Sequence, residues 1–186
     1  MIRTLARAGA IAALLSPFPA AAAAKIECVR SGYSAADNAL FDAFVAKGFD
    51  KGDTKAIIAP IAARAQACAA ENNWPSGAIV QALFYQMASL AERSVIVAPQ
   101  LSSADMAKFE AFYTKNHVRL RELLGPMIEA QMTGEQRTMP KANEIELGLL
   151  IIGGGLPADE KSATFVGKVI GTRLMAEISA EKFSQL

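Results

Sequence analysis

The chain is poor in the residue types with which most enzymes perform acid–base and nucleophilic chemistry. Its 186 residues include one histidine, His117, and two cysteines, Cys28 and Cys68. The patterns G-x-S-x-G, H-E-x-x-H and C-x-x-C do not occur, which argues against the common serine hydrolases, zinc peptidases and thiol–disulfide oxidoreductases. The composition therefore favours binding over catalysis, and any enzyme mechanism would have to be built around His117.

Clustered charge is also missing. The chain has 19 basic and 18 acidic residues, a formal net charge of +1, and no long run of one sign. A nucleic-acid-binding protein needs a concentrated basic surface that displaces counterions from the phosphates. We therefore expect no nucleic-acid partner.

What is present begins at the N-terminus, where residues 1–24 have the order of a cleavable secretory signal. Arg3 and Arg7 supply the positive region, residues 8–15 an apolar core, and residues 20–24 the small side chains needed at a cleavage site. We predict cleavage between Ala24 and Lys25, which leaves one domain, 25–186, in the periplasm or outside the cell. An uncleaved anchor is the alternative, but only 17 residues separate Arg7 from Lys25, fewer than the roughly 20 of a spanning helix, so we expect no stable transmembrane anchor.

Export would place the two cysteines in an oxidising environment. Disulfides form in oxidising compartments, and within the chain Cys28 can pair only with Cys68, 40 positions away. Closing a loop of this length restricts the unfolded chain by about 4 kcal/mol in the chain-entropy model. We predict a structural disulfide. A redox or metal-binding thiol is the alternative.

Apolar residues recur at helical spacing along most of the remaining sequence. Helix starts are indicated by Ser34 with Asp37, by Asp53, and by Ser102 with Asp105, since these side chains cap exposed backbone N–H groups. The fold class is therefore all-α: a single compact helical domain or bundle of about five to seven helices. At Gly125-Pro126 we expect the chain to kink or to restart as a short helix, because proline lacks the N–H that a helix interior requires.

Residues 143–156 are open to two interpretations. Ile145 and Leu147 on either side of Glu146 would suit a strand, but a single strand would have no partner in a chain without other strand signals. We interpret the segment as a buried helix that ends at the glycines of positions 153–155.

His117 lies one helical turn from Tyr113 and one from Arg121, so the three side chains share a face. A neutral imidazole could act as a general base or ligate a metal or haem iron. The alternative is a histidine at the edge of the core whose nitrogens are hydrogen-bonded within the protein. Tyr113, His117 and Arg121 are candidate ligand- or partner-binding residues.

Tyr33 and Trp74 are candidate anchors for a protein partner, because exposed aromatic side chains make effective binding hot spots. Trp74 follows Asn72-Asn73 in a predicted turn. For each ring the alternative is a partly buried packing residue.

No metal site and no cofactor are predicted. Met127, Met132 and Met139 are close in sequence, but their spacings do not place all three on one helix face. Glu144 and Glu146 are two positions apart, and they too would point to different faces.

The leading functional hypothesis is a non-catalytic, exported helical module that docks a protein partner of the cell envelope. The alternative is a carrier of a small apolar ligand in a pocket between the third, fourth and last helices, with His117 or Arg121 as the polar group that holds it. An enzyme relying on His117 is the third interpretation.

Overall fold

The computed structural model describes residues 25–186, none of which lies in a strand. The predicted signal, residues 1–24, lies outside the described residues. Six α-helices follow a short 3-10 helix at Glu27–Arg30, and the all-α prediction is confirmed. In this part of the chain no helix combines the length and the apolar character needed to cross a membrane. The helices are α1 (Ala35–Lys47), α2 (Thr54–Asn72), α3 (Ser76–Ile96), α4 (Ser103–Thr133), α5 (Lys141–Gly153) and α6 (Glu160–Ser184).

Three of the six α-helices in the described chain begin where the capping residues Ser34, Asp53 and Ser102 predict. The hydroxyl of Ser34 accepts a hydrogen bond from the backbone N–H of Asp37, and the Asp37 carboxylate accepts one from the N–H of Ser34, at 3.1 and 3.2 Å. Asp53, Ser102 and Asp159 cap α2, α4 and α6 through their side chains. Each cap satisfies N–H groups that the first helical turn leaves without a partner.

Pro126 lies inside α4, which continues without interruption to Thr133. The expected restart as a separate short helix is therefore wrong, whereas the alternative of a kink within α4 stays a prediction. Leu123 before the proline and Ile128 after it are both buried. Packing on both sides of Pro126 holds the backbone helical although the carbonyl of Glu122 loses its i+4 donor.

The centre of the bundle is the pair α3 and α6, which form the most extensive helix–helix contact in the described chain. They run antiparallel, since Arg173 bonds to Glu92 near one end of the pair and Gly77 faces Leu186 at the other. Ten residues of α6 are buried: Ser162, Phe165, Val166, Val169, Ile170, Thr172, Leu174, Ile178, Ser179 and Phe183. α6 is therefore the core helix of the bundle.

Three apolar clusters surround this pair. The largest joins α4 to α6 and includes Phe109, Leu120 and Leu174. A second packs α1 and α2 against Leu90 of α3. The third lies around Cys68 and closes the end of α6 at Phe183.

α5 runs antiparallel to α4 on the outside of the bundle. Arg119 of α4 holds the Glu146 carboxylate through Nε and one Nη, at 2.5 and 2.6 Å. The prediction of a helix here is confirmed, but the prediction that it is buried is wrong, because no residue of α5 is buried. Its inner side chains pack partly on the main cluster, and no element of the described chain covers its outer side. The inner side chains are Leu147, Leu150 and Ile151.

Candidate functional site

The three residues predicted to share a face of α4 meet two carboxylates of α6. The Tyr113 hydroxyl donates to Glu177 Oε1 at 2.8 Å, and His117 Nε2 lies 2.5 Å from Glu177 Oε2. One turn further along, Arg121 pairs with Glu181. The two helices run parallel here, so polar residues at four-residue spacing on α4 match polar residues at the same spacing on α6.

Arg173 of α6 is the centre of this polar cluster. Its two Nη atoms donate to the two oxygens of Glu110 at 2.7 and 2.8 Å, and its Nε donates to Glu92 at 2.7 Å. The guanidinium carbon also lies 5.3 Å from the ring centre of Phe109 and 5.2 Å from that of Tyr113, within the range of a cation–π contact. Arg173 thus joins α3, α4 and α6 through one side chain.

Arg173, Glu177 and Glu181 were not predicted from the sequence as site residues. A signal for them exists, because positions 173, 177 and 181 repeat the four-residue spacing of positions 113, 117 and 121. Two such polar stripes on amphipathic helices predict ion pairing between them, but only if the helices are known to be neighbours.

Two groups in contact with this cluster, Tyr113 and Glu110, have pKa values displaced from their ordinary range. Burial, followed by the hydrogen bond to Glu177, raises the pKa of the Tyr113 hydroxyl above its ordinary value, so Tyr113 remains a neutral phenol. The hydrogen bonds from Arg173 lower the pKa of Glu110, which remains a carboxylate. Tyr113 is consequently a poor nucleophile, and Glu110 a poor proton donor.

A histidine held by a carboxylate is the arrangement that activates a nucleophile in many hydrolases. Among the described residues, however, no serine, threonine or cysteine donates to His117, whose one side-chain partner is Glu177. The geometry therefore supports a role of this pair in attaching α4 to α6, and catalysis by His117 stays an untested alternative.

The two aromatic candidates lie away from this cluster and pack within the bundle. The Tyr33 hydroxyl donates to the Val29 carbonyl at 2.6 Å, the ring meets Phe41 edge to face, and burial raises its pKa to about 12. Trp74 packs edge to face on Phe183 with ring centres 4.7 Å apart. The structure thus places both rings as half-buried packing residues, the alternative that the sequence left open.

The disulfide between Cys28 and Cys68 is present, with the two Cα atoms 6.0 Å apart. It ties the first turn of the described chain to α2, and Arg64 strengthens this link by donating to the Ser31 carbonyl at 2.8 Å. Glu71 lies beside the two sulfurs. Because those sulfurs are bonded to each other they are not thiolates, and the trio is not a metal site.

A second surface was not foreseen from the sequence. Residues 142, 145, 149 and 152 follow one another at helical spacing along α5, and we call them the α5 outer face. Ile145, Leu149 and Ile152 are 56, 64 and 62 % exposed, and Ala142 is exposed as well. The face contains no charged side chain. A sign of it lay in the sequence, since aliphatic residues occupy both sides of this helix instead of one.

Beside the α5 outer face, a groove of about 570 Å³ separates α5 from α4. Leu149 and Gly153 form its α5 side, and Lys108 and Lys115 line it from α4. Lys108 is paired with Asp105, whereas Lys115 makes no ion pair within residues 25–186. Glu146 also lines the groove, and its carboxylate is held by Arg119. The groove thus sets exposed aliphatic surface next to the positive charge of Lys115, unpaired within the described residues, and we call it the α4–α5 groove.

Fold and site together define a class, that of all-α bundles linked by a disulfide and carrying an uncovered apolar helix face. No protein-family model, curated protein or solved structure matches the chain. The function is therefore inferred from the surfaces described above.

Proposed function

We propose that this protein is exported by removal of residues 1–24 and acts as a non-catalytic module that docks a protein partner of the cell envelope. The docking surface is the α5 outer face together with the α4–α5 groove. The observation that carries the proposal is the exposure of three large aliphatic side chains in a row, Ile145, Leu149 and Ile152, each more than half exposed.

An uncovered face of this kind needs an occupant. A helix that is apolar on both sides is normally buried on both sides, and contiguous apolar surface on a folded protein marks an interaction site. α5 satisfies this rule on its inner side, where Leu147, Leu150 and Ile151 pack on the bundle. A docked partner would bury the outer side of α5 in the same way.

The charges beside the face indicate the chemistry of the partner. Lys108 and Lys115 line the groove next to Leu149, and Glu146, the one acidic residue that the described chain places there, is already paired with Arg119. A complementary surface therefore carries acidic side chains beside its apolar ones. An amphipathic helix supplies both, with an aliphatic stripe for α5 and a flanking row of Asp or Glu for α4. We therefore assign the partner as a protein that presents an acidic amphipathic helix.

The docking proposal is tested with two synthetic helical peptides that share a leucine stripe but carry either glutamate or lysine flanks. The glutamate peptide should bind the purified protein, as followed by fluorescence anisotropy. Ile145→Asp with Leu149→Asp should weaken this binding at least about tenfold, since burying one large aliphatic side chain contributes about 1.5–3 kcal/mol. Val80→Asp is the matched control, because Val80 is 48 % exposed on α3 and lies outside the docking surface.

Three outcomes would contradict the proposal. Equal binding of the lysine peptide would remove the assignment of an acidic partner. A dimer seen by analytical ultracentrifugation and abolished by the double substitution would mean that the face pairs two copies of the chain. Binding to phosphatidylglycerol vesicles with the same sensitivity would make the face a membrane contact.

The compartment is tested separately. What supports export is the order of charged, apolar and small residues in positions 1–24, together with a disulfide that an oxidising compartment would form. N-terminal sequencing of the protein from its native cells should begin at Lys25, and thiol titration should find no free cysteine. A chain that begins at Met1 with both cysteines reduced would refute export.

A further inference from the structure

A cleft between α4, α5 and α6 lies on the inner side of α5, away from the docking surface. Its volume is about 390 Å³, within the range of pockets that bind small molecules. Leu124 and Met127 of α4 and Leu147 and Ile151 of α5 form its walls, and all four side chains are half-buried. The interior of the cleft is therefore apolar.

Two glycines of α6, Gly167 and Gly171, lie one turn apart along this cleft. Neither has a positive φ, and a Cβ atom added to either would meet no atom within 4 Å. At Gly154, in contrast, a Cβ would lie 2.6 Å from the Phe112 ring, so packing there requires glycine. Glycine destabilises a helix interior relative to alanine. Neither backbone conformation nor close packing explains why glycine stands at positions 167 and 171. The space they leave is open to another molecule.

The rim of the cleft is polar and exposed, and hydrogen-bond donors predominate on it. Arg137 lines the rim beside Gln136 and Thr138. Glu135 is the one acidic residue there. Arg137 makes no ion pair with any residue of the described chain, so its planar guanidinium is free to hold a carboxylate through two hydrogen bonds.

We propose that this cleft binds a single-chain amphiphile with a carboxylate head, of the fatty-acid type. Its alkyl chain lies between the walls of α4 and α5 over Gly167 and Gly171, and its carboxylate meets Arg137. The sequence suggested His117 or Arg121 as the polar group of such a pocket and α3 as one of its helices. Arg137 takes that role here, and α5 replaces α3. The site goes beyond the docking function and does not depend on it.

The experiment measures dodecanoate binding to the purified protein by isothermal titration calorimetry, below the concentration at which dodecanoate forms micelles. Gly171→Leu fills the cleft and should weaken binding at least about tenfold. Gly171→Ala should raise the urea midpoint while still weakening binding. Gly148→Ala is the matched control, since Gly148 also lies within a helix with open space at its Cβ but does not line this cleft. It should raise the midpoint and leave dodecanoate affinity unchanged.

The head-group assignment is tested at the rim, where substitutions do not disturb the core. Arg137→Gln should weaken dodecanoate binding at least about tenfold and leave dodecanol binding unchanged, whereas Glu135→Gln should tighten dodecanoate binding. Dodecylamine should bind more weakly than dodecanoate. The proposal is refuted if dodecanoate does not bind, if Gly171→Ala and Arg137→Gln bind it as tightly as the unaltered protein, or if dodecylamine binds equally well.

Discussion

α5 is the more apolar and α6 the more highly charged of these two helices, yet the bundle exposes α5 and buries α6. α5 carries six large aliphatic side chains among its 13 residues, and none of its residues is buried. α6 is 25 residues long, contains charged residues from its first turn to its last, and has ten buried residues. Composition alone would have assigned the core position to α5.

The difference lies in the number of neighbours. α6 packs against both α3 and α4, whereas α5 packs chiefly against α4. A helix surrounded on two sides needs few apolar residues to form a core, provided that they lie on the right faces. A helix with one neighbour leaves its outer side uncovered however apolar it is. Burial is thus a property of the arrangement, and α5 is free to serve as a contact surface.

Native-state hydrogen exchange should show the largest difference between the two helices. The amides of α6 around Val169 and Leu174 should exchange only through global unfolding, which for proteins of this kind requires about 5–15 kcal/mol. The amides of α5 should exchange through local opening at a free energy several kcal/mol lower, because few buried contacts hold this helix. Equal protection in the two helices would refute this account.

The next largest difference between α5 and α6 should appear in the free energy of unfolding when one leucine of each helix is truncated. Leu174→Ala in α6 should lower the free energy of unfolding by about 3 kcal/mol, since the side chain is fully buried. Leu149→Ala in α5 should change it by less than about 0.5 kcal/mol. Urea denaturation followed by circular dichroism measures both. Similar losses in the two variants would mean that the α5 outer face is covered within the protein.

The ion pairs that attach α5 and α6 to α4 should also differ in their contribution to stability, and the larger contribution should be that of α6. The side chain of Arg173 is 18 % exposed, whereas that of Arg119 is 46 % exposed. Arg173→Met should cost about 2 kcal/mol, because it leaves Glu92 and Glu110 without their partner and removes the contact with two aromatic rings. Arg119→Met should cost much less, since exposed ion pairs contribute little. The same urea titration measures the free energy of unfolding of both variants. A larger loss of stability for Arg119→Met than for Arg173→Met would contradict the comparison.

Lowering the pH should weaken the attachment of α6 to α4, by a smaller amount than Arg173→Met does. Because Arg173 lowers the pKa of Glu110, folding favours the ionised carboxylate. This contribution is present above the ordinary glutamate pKa and is lost as pH falls through the lowered value. Glu110 is half exposed, so we expect less than about 1 kcal/mol. Urea midpoints at pH 7, 5 and 3 should fall more steeply for the unaltered protein than for Glu110→Gln, and parallel curves would contradict the assignment.

The features predicted correctly from the sequence are those that depend on a few adjacent residues or on a single choice of partner. Ser34, Asp53 and Ser102 start helices because each side chain reaches N–H groups within one turn. Cys28 pairs with Cys68 because no other cysteine exists. Tyr113, His117 and Arg121 share a face because of helical spacing alone.

The features that were missed depend on residues far apart in the chain. Arg173 meets Glu110 and Glu92 across 63 and 81 positions, and only the packing of three helices brings them together. Pro126 should break a helix by its local chemistry, but buried neighbours on both sides keep α4 continuous. The cleft beside Gly167 and Gly171 is likewise formed by three helices, and the two glycines belong to only one of them, α6.

By itself, the sequence determined that the chain is helical and where three of the six helices in residues 25–186 begin, since helix capping and spacing act within one or two turns. It also determined how the two cysteines pair, because there is no third cysteine. The tertiary structure alone decided that α6 forms the core and α5 the surface, that Arg173 joins three helices, and that a cleft opens beside two glycines. The physical reason is that burial and ion pairing require neighbours, and a helix finds its neighbours only when the whole chain has packed.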